Sequence, residues 1–308
     1  MRLAVLCLAL LAVGCGPISE SSFPDLSERE TIRVVTTVGM IADAAERIGG
    51  SRVEVDGLMG PGVDPHLYKA SEGDVRRLER ADVIFYGGLH LEAKMADVLE
   101  RIGERRLTRA VSDGIPRAKL ISVGGGQVDP HVWFDVALWT GAVREVRDTL
   151  AAADPAHARG YRARATLYLA ELERLDAEAR SKSAAVPAAA RVIVTAHDAF
   201  GYFGRAYGYE VVGLQGISTA SEAGAKDVRR LADLIAARRI PAIFVESSVA
   251  PRTIEAVQEA VRSRGFDVAI GGSLYADAMG SAGTPDGTYV GMVRHNVDTI
   301  TTALGAPR

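Results

Sequence analysis

The feature that most limits what this chain can become is an alternation of strand and helix patterns that runs twice, once on each side of a long helical stretch. The first series opens with a β-branched run at 31–36 and a helical pattern at 40–48 that stops at Gly49-Gly50. A strand at 53–58, a helix at 72–80, a strand at 83–86, a helix at 92–102 and a strand at 120–123 follow. From 136 to 183 the pattern is helical, interrupted at Asp154-Pro155, which suit an N-cap and a first-turn residue. The second series places strands at 191–195, 210–213, 242–245 and 267–270, with helices at 199–207, 225–238, 252–264 and 289–304.

Strands separated by helices pair in parallel, and parallel sheets need cover on both faces. The expected fold is therefore α/β: two lobes, each a mostly parallel sheet covered by helices, joined by a single long bridging helix. The boundaries that follow are 31–155 for the first lobe, 156–186 for the bridge and 187–308 for the second lobe. A ligand in such a fold sits outside the carboxyl ends of the strands, here in the cleft between the lobes. With 308 residues, 48% of them hydrophobic, the chain is long enough to bury two such cores.

The amino-terminal segment reads as an export signal. Arg2 precedes an apolar run at 3–13, too short to span a membrane as a mature helix, and Gly14-Cys15 closes it. A small residue directly before Cys resembles the bacterial lipobox, although Ala12 stands where that box usually has Leu. Removal of 1–14 would leave Cys15 as a lipidated amino terminus anchored to the membrane. Cys7 would leave with the signal, so no disulfide could form within the mature chain. Residues 15–30, rich in Ser, Glu, Pro and Asp, read as a flexible tether. The expected location is the cell envelope, on the extracytoplasmic or periplasmic face. Lysine and arginine number 36 against 39 acidic residues, which offers no basic footprint for a nucleic acid.

Six histidines occur, and three have informative surroundings. His66 and His131 each end a Val-Asp-Pro-His tetrapeptide, at 63–66 and 128–131. Proline fixes its own φ and restricts the residue before it, so each imidazole is presented from a preorganised turn. His197 follows the first strand of the second lobe, where it would face the cleft. Three loop histidines at strand ends in two lobes suit metal ligation. Three neutral imidazoles need a carboxylate as counter-charge, and the candidates are Asp277, in the loop after the last strand, and Asp64, two residues before His66. An N-cap or turn role is the competing reading for both. Glu246, ending a strand, either orients a ligand imidazole or is a plain strand-end carboxylate. His90, His157 and His295 are expected to be structural or solvated, and Trp133 and Trp139 to be core residues.

Four motifs carry a resemblance: Gly57-Leu-Met-Gly-Pro-Gly-Val-Asp-Pro-His-Leu-Tyr68, Asp129-Pro-His-Val-Trp-Phe-Asp135, Val194-Thr-Ala-His-Asp-Ala-Phe-Gly-Tyr-Phe203 and Gly213-Leu-Gln-Gly-Ile-Ser-Thr-Ala-Ser-Glu222. With Ile243-Phe-Val-Glu-Ser-Ser248, Asp277-Ala-Met-Gly280 and Tyr289-Val-Gly-Met-Val-Arg-His-Asn296, they resemble the TroA-like metal-binding lipoproteins, the solute-binding components of zinc and manganese ABC importers. The resemblance covers essentially the whole mature chain. It implies a divalent ion held between the lobes by His66, His131, His197 and Asp277, and delivery of that ion to an ABC importer permease by a monomeric protein that is not an enzyme. Manganese-dedicated members tend to carry Glu at the position of His197, which leans the set toward zinc. Zinc-dedicated members often carry a His-rich acidic loop before the second histidine, absent from 113–127, so both metals stay open.

Two other functional classes compete with this reading. A zinc-dependent hydrolase could use three histidines and a carboxylate, but no His-Glu-x-x-His motif is present. A cell-adhesion role, ascribed to some members of the resembling family, has no mark in this sequence. Gly60-Pro-Gly62 is not a dinucleotide fingerprint, and there is no Walker loop.

Overall fold

The structure, a computed structural model, describes residues 23–305. The expected signal segment at 1–14, the lipidation site Cys15 and the first part of the tether lie outside the described residues.

The first lobe is built on a four-stranded parallel sheet of β1 (Ile32–Thr36), β2 (Val53–Gly57), β3 (Val83–Tyr86) and β4 (Leu107–Ala110), in the order β2-β1-β3-β4. β1 and β3 occupy the middle and are almost wholly buried. The crossovers carry α1 (Gly39–Gly49), α2 (Glu72–Arg80) and α3 (Ala96–Gly103). α2 starts with a reciprocal cap: Asp74 N donates to Ser71 Oγ at 3.2 Å, and Ser71 N donates to Asp74 Oδ2 at 2.8 Å.

Three departures from the sequence reading occur here. β4 escapes notice because it is a half-buried edge strand interrupted by Arg109. The strand expected at 120–123 is instead half of an antiparallel hairpin, β5 (Ser122–Gly124) with β6 (Gln127–Val128). Its turn uses Gly124, Gly125 and Gly126, all at positive φ, and leaves Val123 40% exposed. The tether is also shorter than 15–30. Leu26 is buried and donates its N–H to the Ala153 carbonyl at 2.6 Å, and Arg52 reaches the carbonyls of Arg29 and Glu30.

α4 (Val136–Ala153) leads to a short 3-10 turn and then to α5 (Ala158–Ala184), the bridge. At 1.5 Å per residue its 27 residues span about 40 Å. Tyr161, Ala165, Tyr168, Leu172, Leu175 and Ala179 form one buried stripe at helical spacing. The start of α5 is tied to the first lobe: Tyr168 donates to Asp43 at 3.0 Å, and Arg164 donates to the carbonyls of Ile48 and Gly49 that end α1. Asp154 is not the side-chain N-cap expected from Asp-Pro. Fully buried, it accepts from Arg52 at 3.1 Å, Tyr161 at 2.6 Å and, at 2.8 Å, His157 Nδ1.

The second lobe contains β7 (Val192–His197) paired in parallel with β8 (Glu210–Gln215), and β9 (Ala242–Glu246) paired in parallel with β10 (Ala269–Leu274), with β9 alongside β7. α6 (Gly201–Tyr207), α7 (Ala225–Arg238), α8 (Arg252–Arg262) and α9 (Tyr289–Gly305) complete it. The far end of α5 is held to α9 by Lys182 to Asp298 at 2.6 Å and Arg294 to Glu178 at 3.0 Å. One apolar core runs from Val34 and Phe85 of the first sheet through α4 and α5 to Phe244, Leu274 and Tyr289 of the second lobe. A smaller core lies wholly in the second lobe, under α7 and α8. The two lobes therefore share packing as well as a connecting helix.

Asp154 joins the amino-terminal segment's anchor Arg52 to the start of the bridge, so Asp154→Ala leaves buried donors unpaired. Its urea-unfolding free energy should fall by about 2–4 kcal/mol, and a loss under about 0.5 kcal/mol would show the network to be dispensable.

Candidate metal centre

The two Val-Asp-Pro-His repeats fold into the same turn. In the first, Asp64 Oδ1 accepts the His66 N–H at 2.8 Å; in the second, Asp129 Oδ1 accepts the His131 N–H at 2.9 Å. An aspartate that captures the backbone two residues on, with proline between, fixes the direction of the imidazole. The spare capacity of the two aspartates is used differently. Asp129 Oδ1 also takes the His131 ring Nδ1 at 2.7 Å, whereas Asp64 Oδ2 accepts the Thr219 hydroxyl from the other lobe at 2.5 Å. Asp64 is thus turned away from the common face expected for it with His66, and it stands outside the cluster described below.

His197 is the last residue of β7, paired with Gln215 of β8, because the strand runs two residues beyond the expected end at 195. Glu246, the last residue of neighbouring β9, holds it twice: Oε1 accepts the His197 N–H at 2.9 Å, and Oε2 faces Nδ1 at 2.5 Å. Asp129 and Glu246 therefore occupy the Nδ1 atoms of two imidazoles and leave Nε2 of each turned inward. Asp277 comes from the loop after β10, where Ser248 Oγ donates to its Oδ2 at 3.3 Å.

His66, His131, His197 and Asp277 bring one donor atom each into a group within 4.8 Å of one another, and all four are buried, at 2%, 0%, 0% and 1% exposure. The closest approaches are 3.2 Å between Nε2 of His66 and His131, 3.4 Å from His131 Nε2 to Asp277 Oδ1, and 3.3 Å from His197 Nε2 to Asp277 Oδ2. Donors about 2.0–2.1 Å from a common centre at tetrahedral angles stand about 3.3 Å apart. His197 Nε2 and Asp277 Oδ1 have no hydrogen-bond partner, although both are fully buried. Such atoms are costly to bury unless something binds them. The donor set fits a divalent transition ion.

The loop carrying His131 is pinned from the second lobe. Tyr202 donates to the Asp129 carbonyl at 2.9 Å, Trp133 Nε1 to the Ala276 carbonyl at 3.1 Å, and Tyr289 to the Trp133 carbonyl at 2.7 Å. Sequence reasoning missed Asp129, although the repeated tetrapeptide placed an aspartate in the same relation to both histidines. His90, His157 and His295 lie outside the cluster; His157 pairs with Asp154, and His295 Nε2 lies 2.9 Å from the Ser273 carbonyl.

Without an ion the cluster holds protons. Burial alone would lower the pKa of His131, but the Asp129 and Asp277 carboxylates outweigh it and hold the imidazole up at about 9. His197 is likewise raised well above its usual value, against its burial, by Asp277 and Glu246. Burial drives His66 down to about 4, so it stays neutral. Asp277 is buried too, yet the facing His197 and His131 keep it well below the usual carboxylate range.

A model of the periplasmic component A of the zinc-uptake complex matches residues 34–303. The manganese-binding lipoprotein MntA of Bacillus subtilis is 51% identical over 302 residues, covering 98% of this chain and 97% of that one. The zinc-binding protein TroA of Treponema pallidum is 55% identical over 271 residues, covering 88% of each chain. Its solved structure, a periplasmic zinc-binding protein, superimposes with a TM-score of 0.89 at 54% identity, covering 90% of this chain and all of that one. The manganese ABC transporter substrate-binding lipoprotein PsaA of Streptococcus anginosus is 29% identical, with 98% and 97% covered.

Because His131 and His197 are both raised, protons compete with an entering cation at neutral pH. Uptake of one divalent ion at pH 7 should release about two protons, and apparent affinity should climb as pH rises toward 9 and weaken on acidification. Calorimetric titration in buffers of different ionisation enthalpy measures this directly; a heat independent of the buffer would contradict it.

Proposed function

The chain belongs to the family of periplasmic zinc-uptake component A proteins, and from that membership we propose that it captures a divalent transition ion, zinc or manganese, and delivers it to an ATP-driven importer in the membrane. The observation that carries this reading is the group of four buried donors within 4.8 Å of one another, two with an atom that has no hydrogen-bond partner. We assign His66, His131, His197 and Asp277 as the ligands, with Asp129 and Glu246 orienting the imidazoles of His131 and His197. Asp64 acts as a turn and inter-lobe residue.

Three nitrogens and a carboxylate suit zinc better than an oxygen-rich site would, while MntA, named for manganese, keeps both ions in view. A protein shell that supplies all four tetrahedral positions leaves no vertex for a water nucleophile, which argues for carriage rather than hydrolysis. The lobes are read as 31–155 and 187–308 with the bridge at 156–186, and the shared core favours small movements of loops over wide hinge opening. Residues 23–30 add a packed strap to the first lobe. No helix among the described residues is long and apolar enough to cross a membrane. Attachment through a lipid on Cys15, on the extracytoplasmic side, is in keeping with the lipoprotein names of MntA and PsaA, and the protein is read as acting as a single chain.

Protein purified without chelators or affinity-tag metal should carry close to one zinc or manganese per chain by elemental mass spectrometry, and a His131→Ala, His197→Ala double variant should lose it. Equal metal content in the folded variant would remove the assignment.

A further inference from the structure

Four donors buried to 2% exposure or less raise the question of how an ion reaches them. Around most of the cluster the loops are tied down across the lobes, by Thr219 to Asp64, Tyr202 to the Asp129 carbonyl and Trp133 to the Ala276 carbonyl. Asp277, however, also borders a cavity of about 180 Å³ between the start of α1 and the loop at 277–287. A single water needs only about 10–15 Å³ of such space, so an ion that keeps part of its hydration shell fits.

We propose that this cavity is the passage by which the ion enters and leaves the centre, with Glu46 steering it at the mouth, Met59 and Met279 forming a movable gate, and Asp277 receiving it first. The proposal rests on reading the centre as a metal-capture site.

Each part has a physical basis. Asp277 Oδ1 is buried without a hydrogen-bond partner and belongs to a residue lining the passage, so the acceptor and the route coincide. Asp43, also on the wall, is already engaged by Arg47 at 3.1 Å and Tyr168 at 3.0 Å. Glu46 is exposed and makes no ion pair among the described residues, so its charge is free to attract a cation. The amino end of α1 borders the cavity and works against a cation, but it amounts to about half a charge against the full charges of Glu46 and Asp277.

Met59 and Met279 are nearly buried, at 5% and 8%. Unbranched thioethers change rotamer at little cost and interact weakly with soft ions, which suits a gate that must open and reclose. Gly39 leaves room for this: a Cβ there would come within 3.1 Å of Met279 Cε. A side chain at 39 presses first on Met279, whose atoms are the three nearest to an added Cβ.

Stopped-flow measurement with zinc ion alone, for loading and then for release into excess chelator, tests the passage. In Gly39→Val both rates should fall by about tenfold or more while their ratio, the equilibrium affinity, stays at the wild-type value. In Glu46→Lys loading should slow about two- to fourfold at low salt, with the difference vanishing at high salt. A folded Gly39→Val variant with wild-type rates overturns the proposal. Should that variant fail to fold, Glu46→Lys decides alone, and loading equal to wild type at both salt concentrations overturns it. Wild-type protein that takes up no zinc at all would overturn the capture reading itself, which separates the two failures.

Discussion

Three imidazoles can be buried together only if something fixes their orientation and balances the charge they carry. Here carboxylates do both. Asp129 stands behind His131, Glu246 stands behind His197, and Asp277 faces both from within the cluster. The backing carboxylates select the ring nitrogen that points inward, and all three hold the protons that occupy the centre before an ion arrives. Replacing two protons by one dication leaves the buried charge nearly unchanged, so loading need not strip or add a charge in a low-dielectric interior. Three of the donor spacings, 3.2–3.4 Å, are already close to those of a tetrahedral shell, which limits the reorganisation on binding.

The fold follows from where those carboxylates and imidazoles must come from. His66 and His131 arise from loops of the first lobe, His197 and Glu246 from strand ends of the second and Asp277 from the loop after β10, so the centre exists only when the lobes meet. α5 fixes their separation through a buried stripe along its length, with Tyr168 tied to α1 at one end and Lys182 tied to α9 at the other. A continuous core across the interface makes the lobes one packed body. Movement is then left to side chains and loops at the cleft, where the methionine gate and the Asp64 to Thr219 link lie.

Much of this was legible in the sequence, for identifiable reasons. Helices with strong local signals, such as 72–80 with its Ser71 cap and 225–238, fall where periodicity puts them. The central strands β1 and β3 are apolar runs bounded by turn residues, and they too agree. Edge elements are less readable: β4 carries an arginine, and the strand expected at 120–123 gives way to a hairpin from Ser122 whose turn uses three glycines. For the site, a repeated tetrapeptide and histidines at strand ends named the cluster. Which aspartate of the repeat supports an imidazole and which reaches across to Thr219 depends on contacts between lobes, and no local pattern encodes that.

The most direct test of the central claim is anomalous diffraction from crystals of the zinc-loaded protein. One strong peak should lie about 2.0–2.2 Å from Nε2 of His66, His131 and His197 and from the Asp277 carboxylate, with Asp129 and Glu246 still holding the two Nδ1 atoms. A peak elsewhere in the molecule, with these four side chains left unligated, would contradict the account.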